Sequence, residues 1–334
     1  MKLGIAGTGK IVEDALYAIR PVEQIELTAI FARPHSREKG EAFAKAYGIP
    51  SVYTDYDEML GDADVDTVYI GLVNTVHYEY AKRALLAGKS VIVEKPFTGT
   101  YAEALELVEL AKERKLFVFE AITVLHNDVI DKMRKALPKL GSIRMMLANY
   151  SQYSSRYDRY LRGEVDHSFD PEYLGGALRD INVYNIHYAV TLFGRPKAAQ
   201  YYPNTGFNGV DTSGTAVLSY DGFSAVCTGA KDADSPCFVS IQGEKGYMRI
   251  DGKPNVAPNL TIEYVDETNP ELVKDAAGAM VRATIKEAFE PQPVHHRMTE
   301  EFTDFAVIVD SKNYEEGNKL AEESLAVMQI IDQV

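Results

Sequence analysis

Along the first third of the chain, short apolar runs alternate with stretches whose apolar residues recur at helical spacing. Leu3 to Ala6 is one such run, and Ala15-Leu16-Tyr17-Ala18-Ile19 carries the helical pattern. Ile25 to Ala32 reads as a second strand, Glu41 to Tyr47 as part of a helix, and Asp66 to Ile70 as another buried strand. The helix Tyr78 to Leu86, the run Val91-Ile92-Val93, the helix Tyr101 to Arg114 and the strand Leu116 to Phe119 complete the series, which ends in Glu120-Ala121. Runs this short and this apolar suit strands covered on both faces. Strands alternating with helices over about 120 residues predict a parallel, doubly wound sheet.

Beyond Ala121 the pattern changes. A helix over Asp128 to Leu137 leads into segments with polar alternation: Ser142 to Tyr153, Thr215 to Tyr220, Ala225 to Cys227, Cys237 to Gln242 and Tyr247 to Ile250. Turn pairs such as Asp221-Gly222, Lys245-Gly246 and Asp251-Gly252 separate them. Strands joined by short turns form an antiparallel or mixed sheet. One long helix is expected inside this region, over Gly176 to Phe193, and two amphipathic helices close the chain, over Thr299 to Asp310 and Lys319 to Ile331. The expected division is residues 1–121 for a nucleotide-binding unit and 122–334 for an α+β substrate and oligomerisation unit. The C-terminal helix is expected to return onto the first unit.

Length and charge narrow the function classes. A chain of 334 residues suits two domains, and 46% hydrophobic with 25% charged residues is an ordinary globular balance. Asp and Glu outnumber Lys and Arg 49 to 35, a net charge of −14, with no basic run to offset it, so no nucleic-acid partner is expected. No apolar stretch approaches the ~18 residues that would span a bilayer, and no charged leader precedes the first strand, so neither a membrane role nor secretion is expected. Cys227 and Cys237 form no disulfide framework or metal spacing, which fits two reduced thiols in a cytoplasmic protein. An open sheet with one half-apolar face in water calls for a covering subunit, hence a homodimer or a dimer of dimers.

Candidate chemistry gathers at the ends of the predicted strands, where ligands of open α/β sheets sit. Gly7-Thr8-Gly9-Lys10-Ile11 stands between strand and helix, the context of a dinucleotide turn, although Val12 occupies the place of its third glycine. The second strand ends in Ala32-Arg33 with Ser36 and Arg37 following, and no acid to read a ribose hydroxyl. Two guanidinium groups and a hydroxyl favour the 2′-phosphate of NADP over NAD. The loop Gly71 to His77 offers Val73, Asn74 and His77 as cofactor contacts, while Asn74 or Thr75 can equally serve as a helix cap. Val91-Ile92-Val93 runs into Glu94-Lys95-Pro96, and Lys95 can carry a proton, a positive charge or only a solvated end. On the long helix, Asp180, Tyr184 and His187 stand at i, i+4 and i+7 and share a face. They form a usable proton-transfer set, with His187 a substrate contact, or a polar structural face. The stretch Asn149 to Tyr157 offers hydroxyls and rings at a sheet edge, to a substrate, a lid or an interface. His295-His296 lacks a third ligand, and no metal is expected.

Gly7-Thr8-Gly9, the loop Asn74 to His77, Glu94-Lys95-Pro96 and Gly175-Gly176-Ala177-Leu178-Arg179-Asp180 with Tyr184 together resemble the glucose-fructose oxidoreductase and inositol dehydrogenase (Gfo/Idh/MocA) family over nearly the whole chain. The resemblance implies an α/β Rossmann-like parallel-sheet domain plus an α+β domain with a large, mostly antiparallel open sheet. It implies NAD(P) in the first domain and a sugar, polyol or diol-like substrate against the open sheet of the second. Lys95 would hydrogen-bond the reacting oxygen, Asp180 and Tyr184 would help pass the proton, and the Lys95–Pro96 bond would be cis. Relatives carry His four residues after the Asp, where this chain has Tyr184. The expected function is an NAD(P)-dependent dehydrogenase or reductase acting on CH–OH groups. The alternatives are a non-catalytic nicotinamide-binding sensor and an NAD-assisted glycosidase.

Overall fold

A computed structural model describes residues 1–334. The first half is built on strands β1 (Lys2–Ala6), β2 (Glu26–Phe31), β3 (Ser51–Tyr53), β4 (Thr67–Ile70), β5 (Ser90–Glu94) and β6 (Val118–Ala121). They form one parallel sheet in the order β3-β2-β1-β4-β5-β6. Every residue of β4 and β5 is buried, as their unbroken apolar runs require. The connections carry α1 (Lys10–Ile19), α2 (Arg37–Tyr47), α3 (Tyr56–Leu60), α4 (His77–Leu86) and α5 (Tyr101–Arg114). A reciprocal capping box between Thr100 and Glu103 starts α5. Strand order reverses between β1 and β4, so a crevice opens at their carboxyl ends.

Two glycines set the width of that crevice. Gly7 has φ of +123°, and a Cβ there would lie 2.5 Å from the Gly71 carbonyl oxygen. A Cβ on Gly71 would lie 2.6 Å from Cγ2 of Val12. Val12, standing where a third glycine belongs, therefore packs into the space that Gly71 leaves. The close approach of helix and sheet is kept, with the small residue moved to the neighbouring loop.

The second half carries β7 (Ile143–Ser151), β8 (Ala198–Thr205), β9 (Asp211–Ser219), β10 (Ser224–Ala230), β11 (Phe238–Gly243), β12 (Gly246–Asp251), β13 (Leu260–Val265), a short hairpin of β14 (Leu272–Lys274) and β15 (Met280–Arg282), and β16 (Thr284–Phe289). Eight of them form a sheet in the order β16-β13-β12-β11-β7-β10-β9-β8. All neighbours are antiparallel except β7 and β10. β9 alternates buried and half-buried residues along its length, whereas edge strand β8 is largely exposed and lacks a clean alternation. Helices α6 (Asp128–Ala136), α7 (Tyr157–Leu161), α8 (Val183–Phe193), α9 (Thr299–Asp310) and α10 (Tyr314–Gln333) complete the chain.

The helix expected over Gly176 to Phe193 is not uniform. Residues Leu178–Asn182 form a π-helical turn that passes into α8. Its start is tied down by Asp211, whose Oδ2 accepts from the Leu178 N–H at 2.7 Å. Its end is pressed onto β10: Asn182 donates to the Cys227 carbonyl at 2.8 Å, and a Cβ on Gly229 would lie 2.7 Å from Cβ of Asn182. With both ends anchored, the turn widens to take up the extra residue.

The C-terminal helix lies across both halves. Ala321, Leu325 and Met328 of α10 join the apolar cluster on one face of the parallel sheet. Tyr314 stacks on Phe117 at 4.9 Å, and Lys112 pairs with Glu322 at 2.6 Å. A second, larger cluster runs without a break from Leu3, Ile5 and Phe119 to Met146, Val239 and Ile250. The Gly71→Ala variant should lose about 1–3 kcal/mol, the usual cost of overpacking. Adding Val12→Ala should recover most of the loss, as read by thermal melting of the single and double variants.

Candidate active site

The crevice opens into a cleft of about 570 Å³ lined from both halves of the chain. The first half contributes the Gly7-Thr8-Gly9-Lys10-Ile11 turn, Arg33, Ser36, Lys39, residues 71–74, Lys95 and Pro96. The second contributes Arg156, Asp166, His167, Ser168, Leu174, Gly175 and Asp180. Gly9 is the N-cap of α1, and nothing lies within 4 Å of where its Cβ would be, so the helix's N–H end is open to a phosphate. The Lys10 ammonium is turned onto its own helix, to Glu13 at 3.3 Å and Asp14 at 3.0 Å.

Beyond β2 the basic end is arranged differently from expectation. Arg33 and Ser36 line the cleft, but Arg37 turns away and pairs with Glu41 at 2.8 Å. Lys39 lines the cleft in its place, above the Phe43 ring. Positions 33, 36 and 39 recur every three residues, a spacing that could have identified Lys39 from the sequence. Arg33, Ser36 and Lys39, with no acid among them, fit a dinucleotide that carries a 2′-phosphate.

Asn74 is neither a cap nor free: its amide donates to the Tyr173 carbonyl at 3.3 Å and ties the loop after β4 to the second half. Val73 lines the cleft as expected of a cofactor contact. His77 does not. It is fully buried, with Nδ1 2.9 Å from the Pro96 carbonyl and Nε2 3.1 Å from that of Leu72, a brace between two loops. Glu94 is also buried outside the cleft lining and accepts from the Tyr69 hydroxyl at 2.7 Å. Burial pushes its carboxyl upward against the pull of that bond and of Lys95.

Three side chains converge across the two halves. The Lys95–Pro96 peptide is cis. The Lys95 ammonium donates to Asp180 Oδ1 at 2.6 Å and to the Asp180 backbone carbonyl at 2.9 Å, although 85 residues separate them. It also stands 5.6 Å from the centre of the Tyr184 ring. Burial opposes the charge on Lys95, but Asp180 and Tyr184 outweigh it, and the ammonium is held above the usual lysine range. Burial likewise works against the Asp180 carboxylate. Lys95 and a second lysine, Lys231, outweigh it and hold the group well below the usual carboxylate range. Burial raises the Tyr184 phenol, which packs 5.8 Å from the Tyr150 ring.

His187 is not part of this set. It is fully buried, with Nε2 3.2 Å from Glu120 Oε2 at the end of β6 but not aligned for a hydrogen bond. Uniform helical spacing put it beside Asp180. The π turn advances fewer degrees per residue, which keeps Tyr184 near Asp180 and swings His187 into the core. Two cations escaped the sequence reading. Lys231 follows β10 and reaches Asp180 Oδ2 at 2.8 Å, and Arg297 precedes α9, with its charge felt by Tyr184, Glu301, Glu94 and Tyr150. Neither carries a local signal, because both arrive through long-range folding.

The chain was compared with known proteins. A family model described as "Oxidoreductase family, NAD-binding Rossmann fold" matches residues 1–122, and one described as "GFO/IDH/MocA C-terminal domain" matches residues 132–249. The chain is 37% identical over 251 residues to scyllo-inositol 2-dehydrogenase (NADP(+)) of Bacillus subtilis, covering 75% of this chain and 76% of that protein. It is 28% identical over 254 residues to trans-1,2-dihydrobenzene-1,2-diol dehydrogenase of Xenopus tropicalis, covering 75% and 74%. In fold it is similar to a 3-ketoreductase from Actinomadura kijaniata in complex with NADP and TDP-benzene, with a TM-score of 0.80, 24% identity, and 99% and 96% of the two chains covered.

Removing Arg33 or Lys39 as Ala variants should each cost about 1–3 kcal/mol of NADPH binding, the range of a charge-assisted contact, and leave NADH affinity unchanged. Arg37→Ala should change neither. Fluorescence titration of the three variants with both cofactors checks the assignment; equal losses for NADH and NADPH would refute it.

Proposed function

Since the chain belongs to the glucose-fructose oxidoreductase and inositol dehydrogenase (Gfo/Idh/MocA) family, we propose that it moves a hydride between NADP and a secondary alcohol or ketone of a polyol or sugar-like diol. That it is an NAD(P)-dependent oxidoreductase follows from the family; the substrate class and the choice of NADP are the proposal. The observation that carries it is the Lys95–Asp180 ion pair beside Tyr184, on the wall of a cleft that is also lined by the glycine turn and by Arg33, Ser36 and Lys39. Similarity to an NADP(+)-dependent inositol dehydrogenase and to a diol dehydrogenase supports a substrate rich in hydroxyls. In this reading residues 1–121 hold the cofactor and 122–334 shape the substrate side.

The bound nicotinamide supplies or accepts the hydride. The residues around it handle the oxygen. Asp180 keeps Lys95 protonated, so Lys95 is no base at neutral pH; its ammonium is a fixed donor and positive charge for the developing alkoxide. Tyr184, kept protonated by burial, gives its phenolic proton to the oxygen in reduction and takes it back in oxidation. The place of Tyr184 beside Lys95, with His187 facing Glu120 in the core instead, favours Tyr184 over His187 for this role.

The exterior supports two further parts of the reading. Between the hairpin β14–β15 and strands β12 and β13 lies a groove of about 940 Å³. Leu272 and Met280 stand beside it at 54% exposure each. A second copy covering this face would bury them and make a homodimer, or a dimer of dimers. Cys227, buried and pushed up to about 12, and Cys237 are free thiols, which suits the reducing cytoplasm. No helix is long and apolar enough to cross a membrane.

A screen of inositols, sugars and diols with NADP and NAD tests the reading; binding of NADPH with no turnover of any such compound would overturn it. Lys95→Ala should lose most turnover and keep NADPH affinity, because its contact matters in the transition state. With the Tyr184 phenol raised, ketone reduction should be flat from about pH 6 to 9 and fall only above about 10, while alcohol oxidation climbs through the same range. Tyr184→Phe should cost about 100-fold or more in both directions and abolish that rise. Light scattering at micromolar concentration should give at least twice the monomer mass.

A further inference from the structure

Lys231 is 2% exposed, an unusual place for a lysine, since burying an ammonium is costly unless it is paired and hydrogen-bonded. It has both forms of compensation. Its Nζ lies 2.8 Å from Asp180 Oδ2 and donates to the backbone carbonyl of Ser168. The ammonium also rests 4.3 Å from the centre of the Phe169 ring. Its own backbone is held at the end of β10, donating to Thr212 at 2.8 Å and accepting from Ser154 at 2.8 Å.

The Asp180 carboxylate is thus shared between two cations, Oδ1 facing Lys95 and Oδ2 facing Lys231. With one partner, a carboxylate at 35% side-chain exposure could turn about its own bonds and meet Lys95 through either oxygen. With both oxygens taken, only one orientation satisfies the pair. Lys231 is itself immobilised by a strand end, a carbonyl and an aromatic face, so the orientation is inherited from the sheet.

We propose that Lys231 is a positioning residue for the reaction: it clamps Asp180 so that Lys95 presents its ammonium to the reacting oxygen in one place. This rests on the reading of Lys95 and Tyr184 given above. Lys231 touches no reacting atom and acts wholly through Asp180. The bond to the Ser168 carbonyl holds the ammonium itself in place. The titratable and charged groups around the cluster are Glu94 and Tyr184 beside Lys95, Asp211 beside Lys231, and His167 with the Arg156–Asp166 pair on the cleft wall. None of them bonds Asp180 Oδ2, so removing Lys231 leaves that oxygen with no cation.

The test uses the full-length enzyme with NADPH and whichever polyol or ketone the wild type turns over. Lys231→Met should lower kcat about 10- to 100-fold, the scale on which misplaced catalytic groups cost rate, with NADPH affinity within about twofold of wild type. In ketone reduction, where Tyr184 sets only the alkaline side, the acid limb of its kcat profile should lie at higher pH than in the wild type, because Asp180 has lost one of two cations. Lys231→Arg, which keeps a cation, should bring that limb back towards the wild-type position and serves if the Met variant melts early. In an Asp180→Asn background, Lys231→Met should cost nothing more. An unchanged kcat and acid limb in both variants, a full additional loss in the Asp180→Asn background, or weakened NADPH binding with kcat intact would each overturn the proposal. A wild type that binds NADPH but oxidises or reduces nothing would instead count against the functional reading itself.

Discussion

The site depends on one carboxylate held between two ammonium groups that the chain brings from three places. Lys95 comes from the end of a parallel strand, Lys231 from the end of a strand in the other sheet, and Asp180 from the helix between them. In water such contacts are worth little, and most surface ion pairs of this protein belong to that class. Partly removed from solvent, the same contacts cost more to assemble and respond sharply to misplacement. The shared apolar cluster that joins the two halves is what makes this placement possible. A hinge there would let the three groups drift apart, and the Coulombic gain would no longer offset the desolvation.

Behind Lys95 the protein keeps acids of a different character. Glu94 and Glu301 are both buried, and each is pushed up by its own burial, Glu301 also by the nearness of Glu94. Tyr69 donates to Glu94 and packs its ring 5.4 Å from Phe302, so the first turn of α9 is fastened to the strand that ends in Glu94, just before Lys95. The two layers divide the labour. Asp180, at the cleft, is held towards its charged form by two lysines, whereas burial pushes the acids beneath it towards their neutral forms, and Glu94 ties β5 to β4 through Tyr69. The same carboxyl group does opposite work because Asp180 is bonded directly by two ammonium groups, whereas burial outweighs the pull of Lys95 and Arg297 on Glu94 and that of Arg297 on Glu301.

Much of this was legible in the sequence, and the reason is locality. The β1–glycine turn–α1 unit, the buried runs of β4 and β5 and the abrupt Glu94-Lys95-Pro96 stop are written in consecutive residues. Asp180 and Tyr184 were legible because four residues span one turn in either helix type. His187 was misplaced because one widened turn changes the face of everything after it. Composition points to Arg37 and gives no hint of Lys39, because it does not reveal that Glu41, one turn later, has already taken the guanidinium. Lys231 and Arg297 had no local mark at all. Their neighbours in space are distant in the chain, and no periodicity reports a contact made only when two sheets meet.

The widened turn at Leu178–Asn182 has a consequence for how the motif can vary. Between Gly176 and Tyr184 the chain holds a count as well as a set of letters. Asp211 pins the start and β10 pins the end, so the segment cannot slide to absorb a change in length. Deleting a single residue there would let the helix close to a regular α pitch while every polar side chain of the motif survived. Asp180 would then lose its setting between the anchors at Asp211 and β10, and with it the alignment of its two oxygens on both lysines. Homologous chains that spell the same residues across a gap of one would share the letters of this site without its geometry.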